Sequence, residues 1–216
     1  KLGMNKSCQE CGVDEDYYWS IIDQIGMRAY EDQCAPANPR IPQIEDMKDI
    51  AIEYLGGSGF LVSLGGTGLL FDASESGPDR RALPDQAALA AFEKLYVFVS
   101  HHHDDHFSPT IYDLCGENAT YILGFDIPQP YKGVRMSPGE ARTFGALTVN
   151  AYGSTDEGVS FCVDFAGVTL FHAGDLNLWH WRDESSVTEI ESAERAFYDC
   201  VAPIPKQKID LSLIHI

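Results

Sequence analysis

The sequence predicts an α/β domain, and three observations carry that prediction. Short β-prone runs bounded by glycine turns recur from Ile50 onwards. Two stretches, Asp85–Lys94 and Asp183–Ala196, are helical in character. Between them an apolar run, Leu95–Val99, opens directly into the tract Ser100-His101-His102-His103-Asp104-Asp105-His106.

Residues 1–46 read as an N-terminal extension of unknown role, and 47–216 as the domain proper. Within the extension, Asp14–Tyr30 has Tyr18, Ile21, Ile22 and Ile25 at helical spacing, and the proline-rich 35–42 reads as an extended connector. Cys8-x-x-Cys11 with Cys34 lacks the second pair that a zinc knuckle needs, so the six cysteines read as free thiols.

Ile50–Leu55 reads as a strand, turned by Gly56–Gly59. Phe60–Leu64 and Gly68–Asp72 form a hairpin around Gly65-Gly66-Thr67. Pro84 opens the helix Asp85–Lys94, which feeds the strand Leu95–Val99. Pro109–Leu114 begins a short helix and Ala119–Leu123 a strand. Phe125–Pro138 is a turn-rich loop that carries Tyr131, Lys132 and Arg135 near the mouth of a site. Leu147–Tyr152 and Val159–Phe165 are strands, as is Val168–His172, which ends in Ala173-Gly174-Asp175. The helix Asp183–Ala196 presents Val187, Ile190, Ala193 and Phe197 on one face, and Phe197–Pro205 leads towards another strand.

A strand that ends in histidines and acids delivers imidazole and carboxylate donors to a loop, where backbone can wrap an ion. These donors suit zinc, iron or manganese. His101-x-His103-x-Asp105-His106 after an apolar strand, with His172-Ala173-Gly174-Asp175 further on, resembles the metallo-β-lactamase superfamily and its lactonase-like branch. The resemblance implies an αββα sandwich with the metal site at the sheet edge. It gives His101 and His103 to a first metal and Asp105 and His106 to a second. Asp175 becomes the bridging carboxylate, and Asp72 orients the histidines. His102 and Asp104 fall on variable positions, and His172 reads as a packed histidine.

The chain departs from the pattern where the superfamily's next histidine is expected, since Gly153 stands there. Asp156, Glu157 or a distant group substitutes, or water or substrate fills the place. His180, between Trp179 and Trp181, is a further candidate as replacement ligand, proton donor or packing residue. The terminal run Ile209–Ile216 lacks the helix expected before a last strand, and His215 is a poor closing ligand. The sandwich is therefore expected to be incomplete at its C-terminal end.

A formal net charge of −18, with 15 Lys plus Arg, argues against a nucleic-acid partner. No apolar run reaches the roughly 20 residues that span a membrane. A cytoplasmic, metal-dependent hydrolase with one or two Zn²⁺ (or Mn²⁺ or Fe²⁺) follows, in which Asp105 handles the proton of the attacking water. Its expected partner is a small molecule with an ester, lactone or phosphoester bond; its oligomeric state is left open. The alternatives are a degenerate superfamily member that binds metal without turnover, and an RNA-processing nuclease disfavoured by the charge.

Overall fold

Residues 50–77, 80–179, 184–205 and 209–214 are described by a computed structural model of the chain. The readings made for residues 1–46, and for His180 and His215, lie outside them. Among the described residues, eleven strands form two sheets. The first orders β1 (Ile50–Gly56), β2 (Gly59–Leu64), β3 (Thr67–Phe71), β4 (Lys94–Val99), β5 (Thr120–Gly124) and β6 (Val134–Met136). Pairing is antiparallel from β1 to β3 and parallel from β3 to β6. The second sheet orders β11 (Leu211–Leu213), β10 (Val168–His172), β9 (Val159–Phe165), β8 (Leu147–Gly153) and β7 (Ala141–Phe144). It is antiparallel except for the parallel β10–β11 pair.

The two-residue period of the strands explains why the sheets stack. In β4, Tyr96 and Phe98 point into the space between the sheets. There they meet Phe71, Ile122 and, from the second sheet, Val149, Phe161 and Leu170. Leu95, Val97 and Val99 point the other way, towards a second cluster with Leu89 and Ile111. Those two residues belong to α1 (Gln86–Ala90) and α2 (Ile111–Cys115), which cover the outer face of the first sheet. On the outer face of the second, Cys162 and Phe171 pack with Phe197, Cys200 and Val201 of α3 (Val187–Val201). Helices, sheet, sheet and helix are therefore four layers, the αββα sandwich that the resemblance implied. Strands covered on both faces read as near-continuous apolar runs, as β3, β4 and β10 do.

Several boundaries move, each for a tertiary reason. α1 stops at Ala90 rather than Lys94, because Glu93 N–H donates to Gly66 O and Lys94 already pairs opposite Thr67. The loop 125–138 contains β6, paired with β5. β7 was not legible, since Ala-Arg-Thr-Phe at a sheet edge has no apolar alternation. Phe197–Pro205 leads to β11, as expected, and its first residues belong to α3, which continues to Val201 because Phe197, Cys200 and Val201 complete its half-buried stripe. Val187, expected on that stripe, is exposed. α3 thus directly precedes β11 and supplies the crossover between the parallel strands β10 and β11.

Cys115 and Cys200 are free thiols, and among the described residues no helix is long and apolar enough to cross a membrane. Phe98 is fully buried and stacks on Phe71 with ring centroids 4.6 Å apart. Phe98→Ala should lower unfolding free energy by about 3–5 kcal/mol, measured by urea denaturation.

Candidate metal centre

The site forms where β3, β4 and β10 end and where the β8–β9 loop folds over them. Parallel β3 and β4 end side by side, so Asp72 reaches Ser100 and the motif turn beyond it. Val159 N–H at the start of β9 donates to Ser100 O at 3.0 Å, which ties the second sheet to the same residue. Gly174 brings the turn after β10 closest. Its φ is +54°, and a Cβ there would lie 2.8 Å from that of Ser100. Only glycine accepts both the conformation and the contact.

Four donor atoms converge, from His101, His103, Asp156 and Asp175, all within 4.8 Å of one another. His101 Nε2 and His103 Nδ1 are 3.0 Å apart. Asp156 Oδ2 lies 3.3 Å from His103 Nδ1 and 3.8 Å from His101 Nε2, and Asp175 Oδ2 lies 3.9 Å from His101 Nε2. Bonds of about 2.0–2.1 Å to a tetrahedral ion separate its ligands by roughly 3.3 Å, so this donor set fits a divalent cation with small adjustments. The other oxygen of Asp175, Oδ1, faces His106 Nε2 at 3.1 Å. Asp105 Oδ2 is 3.8 Å from that same nitrogen and half exposed. Asp175 therefore presents one oxygen to each of two histidines.

Behind these donors lies a buried hydrogen-bond network. Asp72 is fully buried and accepts from Ser100 N at 2.8 Å and from Ser100 Oγ at 2.6 Å. Since the serine hydroxyl gives its proton to Asp72, it can only accept from His101 Nδ1, 3.0 Å away. Asp72 Oδ2 also lies 2.8 Å from His106 Nδ1. Both imidazoles thus carry the proton on Nδ1 and turn Nε2, the potential ligand atom, to the acids. Burial opposes ionisation of Asp72, but the charge of His172 and the hydrogen bond and charge of His106 outweigh it and hold its carboxyl well below the usual range. Burial likewise opposes protonation of His106, but hydrogen bonds to Asp175 and Asp72 push its pKa up to about 10. Burial holds His101 below the usual imidazole value.

Among the candidates named from sequence, His101, His103, Asp156 and Asp175 converge directly. His106 and Asp105 stand on the far side of Asp175, and Asp72 contacts His106 and Ser100. His172 is buried, stacks on Phe71 and lies 2.8 Å from Ser58 O through Nε2, outside the donor cluster. The guanidinium of Arg135 is bonded to the carbonyls of Ile127, Pro128 and Tyr131, and Lys132 pairs with Glu117. Two contributors escaped the sequence reading. Arg80 bonds the carbonyls of Gly56, Ser76 and Asp105, so it pins the motif loop to the β1–β2 turn. Asp126 holds the backbone N–H of His102. Neither belongs to a motif, and only the fold brings them to the loop.

No protein-family model matches the chain. The bifunctional aldehyde-alcohol dehydrogenase of Escherichia coli is 40% identical over 57 residues; the match spans 26% of this chain and only 6% of that enzyme. A UPF0173 metal-dependent hydrolase from Carboxydothermus hydrogenoformans is 30% identical over 162 residues, covering 66% of this chain and 69% of the relative. One from Alkaliphilus metalliredigens is 30% identical over 164 residues, with coverage of 66% and 70%. Among solved structures, a metallo hydrolase from Ignicoccus hospitalis is 19% identical, covering 60% of this chain and 62% of its own, with a TM-score of 0.49.

His106 keeps its proton at neutral pH when no ion is present, so binding an ion through its Nε2 must expel that proton. Affinity should therefore rise as pH rises, up to about tenfold per unit between pH 6 and 8. Titration calorimetry in buffers of different ionisation enthalpy would register the released proton. Ser100→Ala should weaken metal affinity about 10–100-fold by freeing the His101 ring, measured by chelator competition.

Proposed function

We propose that this chain, which belongs to the UPF0173 metal-dependent hydrolase family, hydrolyses an ester, lactone or phosphoester bond in a small molecule. The observation that carries the reading is the convergence of His101, His103, Asp156 and Asp175 within 4.8 Å. In it, these four residues hold one divalent ion, Zn²⁺, Mn²⁺ or Fe²⁺. His106 and Asp105 would hold a second, beside Asp175. Bound there, an ion supplies Lewis acidity towards both water and the electrophile.

The remaining work falls to the chain's own groups. Asp105, half exposed beside His106, orients the attacking water and takes its proton. Ser100 and Asp72 keep His101 and His106 in the tautomer that turns Nε2 towards the acids. Asp156 stands where Gly153 leaves no imidazole. A carboxylate in that place adds negative charge and shifts preference towards harder ions than a third histidine would. Arg80 commits its three bonded nitrogens to carbonyls, so this guanidinium positions the motif loop rather than receiving a substrate anion.

Gly153 also motivates a second reading, a family member that binds metal without turnover. One assay decides between them. The chain is reconstituted with Zn²⁺, Mn²⁺ or Fe²⁺ and offered ester, lactone and phosphodiester substrates. Turnover that falls about 10²–10⁴-fold in Asp105→Ala, with circular dichroism unchanged, is the expected result. A parent that binds metal yet turns over none of these substrates favours the binder.

A further inference from the structure

The motif turn and the β8–β9 loop each send side chains to two sides. His101, His103 and Asp156 meet in the donor cluster described above. Their sequence neighbours His102 and Glu157 instead meet Asp126, with one donor atom from each of the three within 4.8 Å of the others. Asp126 follows β5, and its side chain is only 10% exposed. Its Oδ2 accepts from His102 N at 2.9 Å and lies 2.8 Å from His102 Nδ1. Its Oδ1 is buried without a hydrogen-bond partner. Glycines flank this oxygen: a Cβ on Gly124 would lie 2.8 Å from it, and one on Gly158 3.0 Å.

A buried carboxylate oxygen with no donor is costly, and a cation shared by the carboxylate relieves it. Two carboxylates and one imidazole balance a divalent charge and suit borderline-to-hard ions. We propose that His102, Asp126 and Glu157 form an outer divalent-cation site, taking an ion such as Mn²⁺ or Zn²⁺. It shares no residue with the inner donor cluster and does not depend on the reaction assigned to that cluster. An ion here replaces the proton between His102 and Asp126. It ties the motif turn, the end of β5 and the β8–β9 loop together, which holds Asp156 towards His103.

Equilibrium dialysis of the full chain against Mn²⁺, with metal counted by elemental analysis, tests this. Glu157→Gln and His102→Ala should each bind about one equivalent less than the parent, or hold that equivalent about tenfold more weakly, while His103→Ala should keep it. Curves for Glu157→Gln and His102→Ala that superimpose on the parent's overturn the proposal, as does a parent that binds no Mn²⁺. Should His102→Ala unfold by circular dichroism, Glu157→Gln decides, because its side chain is exposed. Failure of the inner site reads out separately: the His103→Ala curve would then match the parent's while the outer variants still lose an ion.

Discussion

A single buried carboxylate sets the architecture of the site. Asp72 has no exposure to solvent, and an ionised acid in that position is tolerable only if every lone pair is met. Ser100 meets it with both backbone N–H and hydroxyl, and His106 and His172 surround it with imidazole at 2.8 and 3.7 Å. The positive φ of Asp72, +40°, is the backbone conformation that turns the carboxylate under the next strand. Because Ser100 is held, His101 is aimed; because His106 is held, Asp175 has a partner.

The sandwich serves this arrangement by ending several strands at one place. Parallel pairing of β3 with β4 puts Asp72 beside Ser100, and the tie from Val159 N–H to Ser100 O draws in the second sheet. Close approach then requires missing side chains, at Gly174 against Ser100 and at Gly158 against His101. These glycines sit where φ is positive and neighbouring backbone leaves no room, so their conformational cost is met by the packing around them. The same glycine-lined approach seats Asp126 behind the motif turn.

Acidity is concentrated in the chain and also in the cluster. Asp105, Asp156 and Asp175 surround three histidines, and the protonated His106 balances part of that charge when no ion is present. A divalent ion does so more completely. An Asp156 carboxylate in the place of an imidazole would change the electrostatics of the centre more than its shape. This makes Gly153 compatible with a metal centre rather than evidence against one.

The sequence by itself determined whatever is local. Short β-prone runs, several of them near-continuously apolar, marked β1 to β5 and β8 to β10. The spacing His101-x-His103-x-Asp105-His106, together with Asp175 after its own strand, marked the candidate donors, because the end of a strand fixes the position of the next few residues. Tertiary structure alone decided the features that depend on distant partners. Whether Asp156 or Glu157 turns to the histidines depends on the fold of the five-residue loop between β8 and β9. The bonds of Asp126 to His102 and of Arg80 to Asp105 join residues 24 and 25 positions apart. The end of α1 was lost to sheet pairing, and the end of α3 was extended by packing. Local propensity is written in neighbours, but a buried charge is satisfied only by whatever the packed sheets bring beside it.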